Sequence, residues 1–342
     1  MSLILETLKK ALVDGEATVN LKEASALTGS GLDAGGRVIY DDAFASLRYG
    51  NPLRQVARQI PSIGSAEAFV VKTGNSADTT NPWGYPINTN EGSPNQATSF
   101  WQMPSRAINA VLPVRTAVLS DINYLEETLV MDLALEFSQI EAQSMMFNND
   151  QAGSSTTAYG ATNGLRGLNS YTGSTSAASF GTSGSAITNG LHTVLQVAQA
   201  SNTAVSYDDM ANLMAALPAQ YLFRENTCWV MHPTTIGALR KLKASTGGSP
   251  MFIESGDDDG GSIIYVFGHR VIPNPYMDVT GAGKYPVYLA CWDCFLTIAD
   301  REEMNVKRFD QTAPGFVYLF AEKRVCSTIR DVFAGVRLVG PT

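Results

Sequence analysis

The sequence predicts an α+β fold, and three patterns support this prediction. Residues 120–147 contain no Gly or Pro and repeat apolar residues at helical spacing. Residues 206–242 give the order helix, strand, helix, which is typical of a mixed α/β unit. Three strand-like runs then follow, at 262–267, 285–299 and 315–325. These runs indicate an antiparallel-rich end to the fold.

The first part of the chain, residues 1–58, is predicted to be an extended N-terminal arm. Residues 2–13 fit a short amphipathic helix with Ser2 as a possible N-cap. The rest of the arm has weak periodicity and several glycines, so little of it could form an independent core.

A long β-hairpin is predicted after the arm. The runs at 66–72 and 107–118 suit β-strands, and we expect them to pair with each other. The segment between them is rich in turn-forming residues, and its only charges are Asp78 and Glu91. It is far longer than an ordinary hairpin loop, and a loop of that length usually has a function or is disordered.

Four aromatic residues of this hairpin lack an obvious local core. Trp83 and Tyr85 lie inside the loop, whereas Phe100 and Trp101 lie at its base. Because large apolar side chains need cover, all four are candidates for contact with another copy of the chain. The alternative is a loop that folds back onto its own domain.

The long predicted helix starts at Ser120, which suits an N-cap. Its apolar stripe consists of Leu125, Leu129, Leu133, Phe137 and Ile140. Its charged residues are all acidic: Asp121, Glu126, Glu127, Asp132, Glu136 and Glu141. We therefore expect a uniformly negative exposed face.

Two further helices have clear boundary signals. Ser206 and Asp209 form a capping-box pattern at the start of SYDDMANLMAAL. The run CWVM at 228–231 is predicted to be a strand, and His232 with Pro233 starts the next helix.

Composition restricts the class of protein. The 342 residues are 44% hydrophobic and 16% charged, which suffices for one large core or two modest ones. The net charge of −8 disfavours tight binding to nucleic acid, although an acidic protein can still enclose DNA. The start, MSLILETLKKAL, has the wrong order for a signal peptide, and no stretch approaches the ~20 apolar residues of a membrane span. We expect a soluble protein with no membrane partner.

No catalytic, cofactor or metal site is predicted. Cys291 and Cys294 form a single CxxC, but a strand over 285–299 would place them on opposite sides, and no second pair completes four ligands. The acidic run 257–259 lacks the spaced ligands of a calcium loop. The histidines lie on separate predicted elements and outside any catalytic motif: His192, His232 and His269. Packing or surface roles are expected for them.

Three blocks of sequence, taken in order, carry a resemblance to a known family. The first is VLPVRTAVLSDINYLEETLVMDLALEFSQIEAQSMMFNND, followed by TNGLRGL. The second and most specific is SYDDMANLMAALPAQYLFRENTCWVMHPTTIGALRKLKASTGGSPMF. The third comprises FGHRVIPNPYM, ACWDCFLTIADREEMNVKRFD and PGFVYLFAEKRV. Together they resemble the Hong Kong ninety-seven-type major capsid protein family of tailed bacteriophages.

This resemblance implies an N-terminal arm, an extended hairpin loop, a peripheral domain with a long spine helix, and an axial α/β domain. The implied boundaries are 1–58 for the arm, 59–118 for the loop, 119–190 with 300–330 for the peripheral domain, 120–147 for the spine helix within it, and 191–299 with 331–342 for the axial domain. In that family the axial domain lies at the five- and six-fold axes, and the loop lies over a neighbouring subunit.

The resemblance also implies a non-enzymatic major capsid protein. Its copies would assemble as hexamers and pentamers into an icosahedral shell around double-stranded DNA, in contact with portal, scaffold or decoration proteins. The virion would be its location, after assembly in the host cytoplasm. The alternative is an encapsulin-like nanocompartment shell that encloses cargo protein.

Two residue-level expectations follow from the resemblance. The spine helix lies on the inner side of the family's shells, so Asp132, Glu136 and Glu141 are candidates for an acidic surface that faces the DNA. Some members weld subunits through a loop lysine and an asparagine. Lys72 is the only lysine of the extended loop and 308–316 contains no Asn, so we expect no cross-link.

Overall fold

The computed structural model describes residues 49–73, 97–115, 125–149, 164–181, 192–242, 254–258, 261–313 and 316–342. Several predicted features lie outside these ranges: the helix at 2–13, the loop aromatics Trp83 and Tyr85, and the first residues of the long helix, 120–124.

The described residues form helices and strands in an α+β arrangement, as predicted. The α-helices are α1 (Leu125–Phe147), α2 (Tyr207–Ala216), α3 (Ala219–Leu222), α4 (Pro233–Arg240) and α5 (Trp292–Phe295). The strands are β1 (Arg58–Pro61), β2 (Ala66–Thr73), β3 (Ala97–Pro104), β4 (Arg106–Arg115), β5 (Thr172–Ser174), β6 (Thr193–Ala198), β7 (Thr227–Met231), β8 (Glu254–Asp258), β9 (Gly261–Val266), β10 (His269–Pro273), β11 (Val287–Cys291), β12 (Leu296–Ala313), β13 (Phe316–Ile329) and β14 (Gly335–Val339).

Most of these strands belong to two sheets. The larger has eight strands in the order β5-β6-β14-β11-β7-β10-β9-β8, and the smaller has four in the order β1-β12-β13-β4. In the smaller sheet β1 runs parallel to β12, whereas the other neighbours are antiparallel. The strands β2 and β3 form a separate antiparallel hairpin. The domain boundaries expected from the sequence stay predictions.

The middle of the eight-stranded sheet forms the main hydrophobic core. Every residue of β7 and β11 is buried, because both faces of these central strands are covered. Trp229 within β7 and Trp292 directly after β11 are fully buried. Their indole N–H groups donate to the carbonyls of Val266 at 2.9 Å and Cys228 at 3.0 Å, so neither burial leaves an unpaired donor.

The predicted starts of two helices are confirmed. At α2 the Asp209 N–H donates to Ser206 Oγ at 3.2 Å, and the Ser206 N–H donates to Asp209 Oδ2 at 2.9 Å, which completes the capping box. At α4 the Thr234 N–H donates to Nδ1 of His232 at 3.2 Å, with Pro233 in the first turn.

The long helix α1 is confirmed over its described part. Leu133 and Phe137, on the predicted apolar stripe, pack against Ala321 of β13 in the four-stranded sheet. Towards the end of the helix, Met145 and Met146 enter the main core. One helix therefore contacts both the small sheet and the large core.

Two predicted strand arrangements are wrong. The strand β2 pairs with β3, not with the run at 107–118, which as β4 pairs with β13. Only Ser105 separates β3 from β4, so consecutive strands join different partners. The run 285–299 is not one strand either, because the helical turn α5 separates β11 from β12. Apolar alternation indicates that a segment is extended, but it does not identify the partner strand.

Candidate functional site

The hairpin of β2 and β3 has two unlike faces. Phe69 lies opposite Trp101, and Val70 lies opposite Phe100. Successive residues of a strand point to opposite sides, so these two pairs face opposite ways. Val70 is 71% exposed and Phe100 49%, whereas Trp101 is 3% exposed. One face is thus buried within the chain, while Val70 and Phe100 form an apolar surface, here called the outer hairpin face.

An aromatic cluster, here called the aromatic anchor, holds the buried face of the hairpin. It consists of Phe69, Trp101, Phe180 and His192. The Trp101 ring stacks on Phe180 with centroids 4.9 Å apart, and His192 meets these two rings edge-on at 5.4 and 5.3 Å. Because His192 comes directly before β6, the anchor fixes the base of the hairpin to one end of the large sheet.

His192 is the titratable member of the aromatic anchor. Burial, reinforced by the charge of Arg166, lowers its pKa to about 4, so the imidazole is neutral at pH 7. Its Nδ1 accepts a hydrogen bond from the Gly181 N–H at 3.1 Å. A neutral ring suits this apolar surrounding, because an imidazolium there would lose its hydration.

Trp101 corrects one expectation from the sequence. The prediction that its burial needs another copy is wrong, because its own chain covers it. The alternation of the strand could have indicated this, since Phe100 and Trp101 must point to opposite faces. Trp83 and Tyr85 lie outside the described residues. Their role at a subunit interface, like that of Phe100, stays a prediction.

The four-stranded sheet also has unlike faces. One face packs on α1, and the other carries two apolar pairs in register, Val111 opposite Phe320 and Phe309 opposite Tyr318. Val111 is 58% exposed and Phe309 48%. These four residues are called the outer sheet face below. Like the outer hairpin face, it presents apolar side chains to solvent.

A network of ions ties the start of the described chain to α1 and the four-stranded sheet. This network, here called the arm-root cluster, consists of Arg54, Glu141, Asp300 and Lys323. The Arg54 guanidinium donates to Glu141 at 2.6 and 2.9 Å and to both oxygens of Asp300 at 2.7 Å. Lys323 Nζ donates to Glu141 Oε2 at 2.8 Å. Two cations and two carboxylates thus offset one another, as buried charges must.

Glu141 corrects a second expectation. The prediction that it faces DNA is wrong, because its side chain is fully buried between Arg54 and Lys323. Its position could have been inferred in part, since it lies four residues after Phe137 on the buried stripe. Asp132 and Glu136 are partly exposed and each has an interaction partner. Their role opposite DNA stays a prediction.

The described residues offer neither a metal site nor a membrane-spanning helix. Among them, no group of three or more His, Cys, Asp or Glu side chains is placed to hold a metal ion. The helices of the same residues include none with the length and apolarity that a bilayer span requires. What this part of the chain does offer to a partner is apolar surface, on the outer hairpin face and the outer sheet face.

Comparison with known proteins identifies the family. The model of the phage capsid family matches residues 37–337. The structure resembles the capsid of a native GTA particle, with a TM-score of 0.70 and 20% identity over 92% of this chain and 100% of that chain. It also resembles a structure of Microbacterium phage Oxtober96, with a TM-score of 0.57 and 13% identity over 94% of this chain and 100% of that one.

A further similar structure is the holo-SrpI encapsulin complex from Synechococcus elongatus, with a TM-score of 0.57 and 12% identity over 89% of this chain and 92% of that chain. No curated protein sequence matches this chain. At these identities the solved structures show the fold alone. Because the family model covers most of the sequence, the chain belongs to the phage capsid family.

Proposed function

We propose that this chain is a major capsid protein whose copies assemble as hexamers and pentamers into an icosahedral shell around double-stranded DNA. Membership of the phage capsid family is the basis for this function. The observation that supports self-assembly best is the presence of two exposed apolar surfaces on one chain, the outer hairpin face and the outer sheet face. Apolar surface of this kind marks contact sites.

The two surfaces suit a head-to-tail contact between copies. A hairpin projects its side chains from a narrow ribbon, whereas the sheet offers a broader face, so the two are unlike and can pair heterologously. A contact of this type leaves each copy with one surface for the next, and it closes into a ring when the rotation between copies allows. Rings of five and six copies are the units that an icosahedral shell needs.

The energy of one such contact is modest. Full burial of a Val or Phe side chain is worth ~1.5–3 kcal/mol. Val70 and Phe100 are already partly covered in the monomer, so the outer hairpin face would supply roughly 2–4 kcal/mol. A shell gains stability because every copy makes the contact twice, once as donor of the hairpin and once as acceptor.

The shell would enclose DNA without binding it tightly. The net charge of −8 disfavours adhesion to phosphate, and Asp132 with Glu136 on α1 would add local repulsion on an inner surface. Particles with Asp132→Asn and Glu136→Gln should therefore release DNA more slowly after opening. Equal DNA content and equal release rates would contradict this role for the helix.

Electron microscopy of the purified full chain tests the assembly. The unaltered chain is expected to form closed particles. Val70→Asp with Phe100→Asp should leave monomers or small oligomers, because each contact would then bury two unpaired charges. The matched control, Ser201→Asp with Asn202→Asp, adds the same charge at exposed positions and should assemble normally. Normal particles from the hairpin variant would contradict the proposed contact.

A second candidate function has one observation in its favour. The encapsulin complex matches this fold with a TM-score of 0.57, equal to that of the Microbacterium phage structure. The chain would then form a shell around cargo protein instead of DNA. Nuclease treatment of particles from the native source separates the two functions, since protected double-stranded DNA supports the virion and a protected second protein supports the nanocompartment.

A further inference from the structure

The CxxC pair lies at the crossing between the two sheets. Cys291 ends β11 in the large sheet, α5 follows as one helical turn, and β12 of the small sheet begins at Leu296. Cys291 is the N-cap of this turn, and Cys294 is its third residue. The thiol of Cys291 lies within hydrogen-bonding reach of the Cys294 thiol, so the two sulfurs are neighbours at the start of this turn. The prediction that the two thiols lie on opposite sides of a strand is therefore wrong.

The two thiols have unlike surroundings. Cys291 is 1% exposed, whereas Cys294 is partly exposed. The Arg224 guanidinium, on the exposed turn that precedes β7, donates a hydrogen bond to Cys294 Sγ at 3.0 Å. A cation beside a sulfur favours the thiolate, which is the nucleophilic form. An accessible sulfur next to a cation, with a second sulfur buried behind it, is the arrangement of an attacking thiol and a resolving thiol.

We propose that Cys291 and Cys294 form a redox-active dithiol that a low-molecular-weight disulfide, such as glutathione disulfide, oxidises to an intrachain disulfide. The proposal concerns the single chain and does not depend on the shell. The Cys294 thiolate attacks one sulfur of glutathione disulfide, and one glutathione leaves as its thiolate. Cys291 then loses its proton and attacks the Cys294 sulfur, and the second glutathione leaves. One protein disulfide and two reduced glutathiones result.

The pH dependence of the reaction follows from the neighbours of Cys294. Burial, followed by the hydrogen bond and charge of Cys291, raises the pKa of the Cys294 thiol to about 11, and Arg224 opposes this rise. The other titratable groups that face it are Asp293 and Tyr221. Below that pKa the thiolate fraction grows about tenfold per pH unit, so oxidation should be slow at pH 7 and faster at pH 9.

The disulfide would close a short ring around Trp292, which is fully buried in the main core. A short ring removes little entropy from the unfolded chain, so the expected rise in Tm is a few degrees at most. The more distinctive consequence is mechanical. The disulfide would restrain the helical turn that connects β11 to β12, and it would therefore make the junction between the two sheets more rigid.

Tryptic mapping of the full chain after incubation with glutathione disulfide tests the proposal. Residues 285–301 form one tryptic peptide that contains both thiols, whereas Cys228 and Cys326 lie in separate peptides, 225–240 and 325–330. The expected product is the first peptide lighter by two hydrogens, restored by a reductant, with Cys228 and Cys326 still alkylated after unfolding. Arg224→Gln should slow the reaction several-fold, and Cys326→Ser should leave its rate unchanged.

Three outcomes would overturn the proposal. The first is no oxidation of the folded chain at pH 9 under conditions that oxidise the unfolded chain. The second is a cross-link between peptides 225–240 and 285–301, since Cys228 lies on the strand next to Cys291. The third is a lasting glutathione adduct on Cys294, which would show that Cys291 does not resolve it.

Discussion

The base of the hairpin and the root of the arm contact the rest of the protein through different interactions, aromatic packing for the hairpin and ion pairs for the arm. The aromatic anchor packs Trp101 against Phe180 around one neutral imidazole. The arm-root cluster instead joins two cations to two carboxylates, since Arg54 contacts both Glu141 and Asp300 and Lys323 contacts Glu141. Aromatic packing depends on shape and barely on salt, whereas a charge cluster fails when one partner is removed. Packing therefore stabilises the position of the hairpin, whereas ion pairing stabilises the position of the arm root.

Acid should reduce the stability contributed by the aromatic anchor and by the arm-root cluster in different pH ranges. Burial holds the pKa of His192 near 4, below the usual 6.5, so the unfolded chain binds the proton first. The stabilisation is complete above pH 6.5 and is lost as the pH falls towards 4. Burial alone would raise the pKa of Asp300, but Arg54 and Lys323 bring it below its usual value of 3.8. The contribution of Asp300 is present above pH 3.8 and is lost only at lower pH.

Removal of the central ring of the aromatic anchor should have the largest effect. Trp101→Ala leaves a cavity between Phe69 and Phe180, and we expect a loss of ~3–5 kcal/mol in the free energy of unfolding. Denaturant titration of the unassembled chain measures it. Trp101→Phe is the matched control and should cost much less, because the indole N–H of Trp101 has no hydrogen-bond partner within the described chain. Equal losses for both variants would show that packing is not the cause.

Titration of the aromatic anchor should give the next largest effect. Because the pKa of His192 falls from 6.5 to about 4, wild-type stability should drop by up to ~3 kcal/mol between those two pH values. His192→Phe should flatten that slope, whatever it does to stability at pH 7. The pKa values of His232 and His269 are also lowered by burial, so His232→Gln serves as the control and should keep most of the slope. An unchanged slope in His192→Phe would contradict the assignment.

Features with local causes were predictable from the sequence. The capping box at Ser206 and Asp209 involves residues three apart, and the fully apolar run at β7 is itself the buried strand. The long helix is equally local, because helical spacing alone defines its apolar face. The fold class followed from these elements, and the resemblance to a capsid family followed from their order.

Features that depend on distant residues were not predictable in the same way. The partner of β4 is β13, which lies some two hundred residues later in the chain. Arg54 and Lys323 reach Glu141 across separations of 87 and 182 residues. Helical spacing could have indicated that Glu141 lies on the buried side of the helix, but no local pattern identifies these two partners. The helical turn after Cys291 likewise interrupts the run 285–299, whose apolar and β-branched composition alone predicts a strand.

Substitution in the arm-root cluster should cause the smallest of the three losses in the free energy of unfolding. It also distinguishes stabilisation by charge pairing from stabilisation by packing. Arg54→Met keeps an unbranched apolar stem but removes the cation. It leaves Glu141 with Lys323 and with the amide of Asn51. A fully buried pair loses ~3–5 kcal/mol when one partner is removed, but Arg54 is 21% exposed and Lys323 remains, so we expect about 2 kcal/mol. Denaturant titration gives the value.

The double variant Arg54→Met with Glu141→Gln should recover part of the loss, because it removes the carboxylate that has lost one of its ion-pair partners in the single variant. If the double variant is no more stable than Arg54→Met, packing and not ion pairing stabilises the arm root. The arm-root cluster and the aromatic anchor would then be stabilised in the same way.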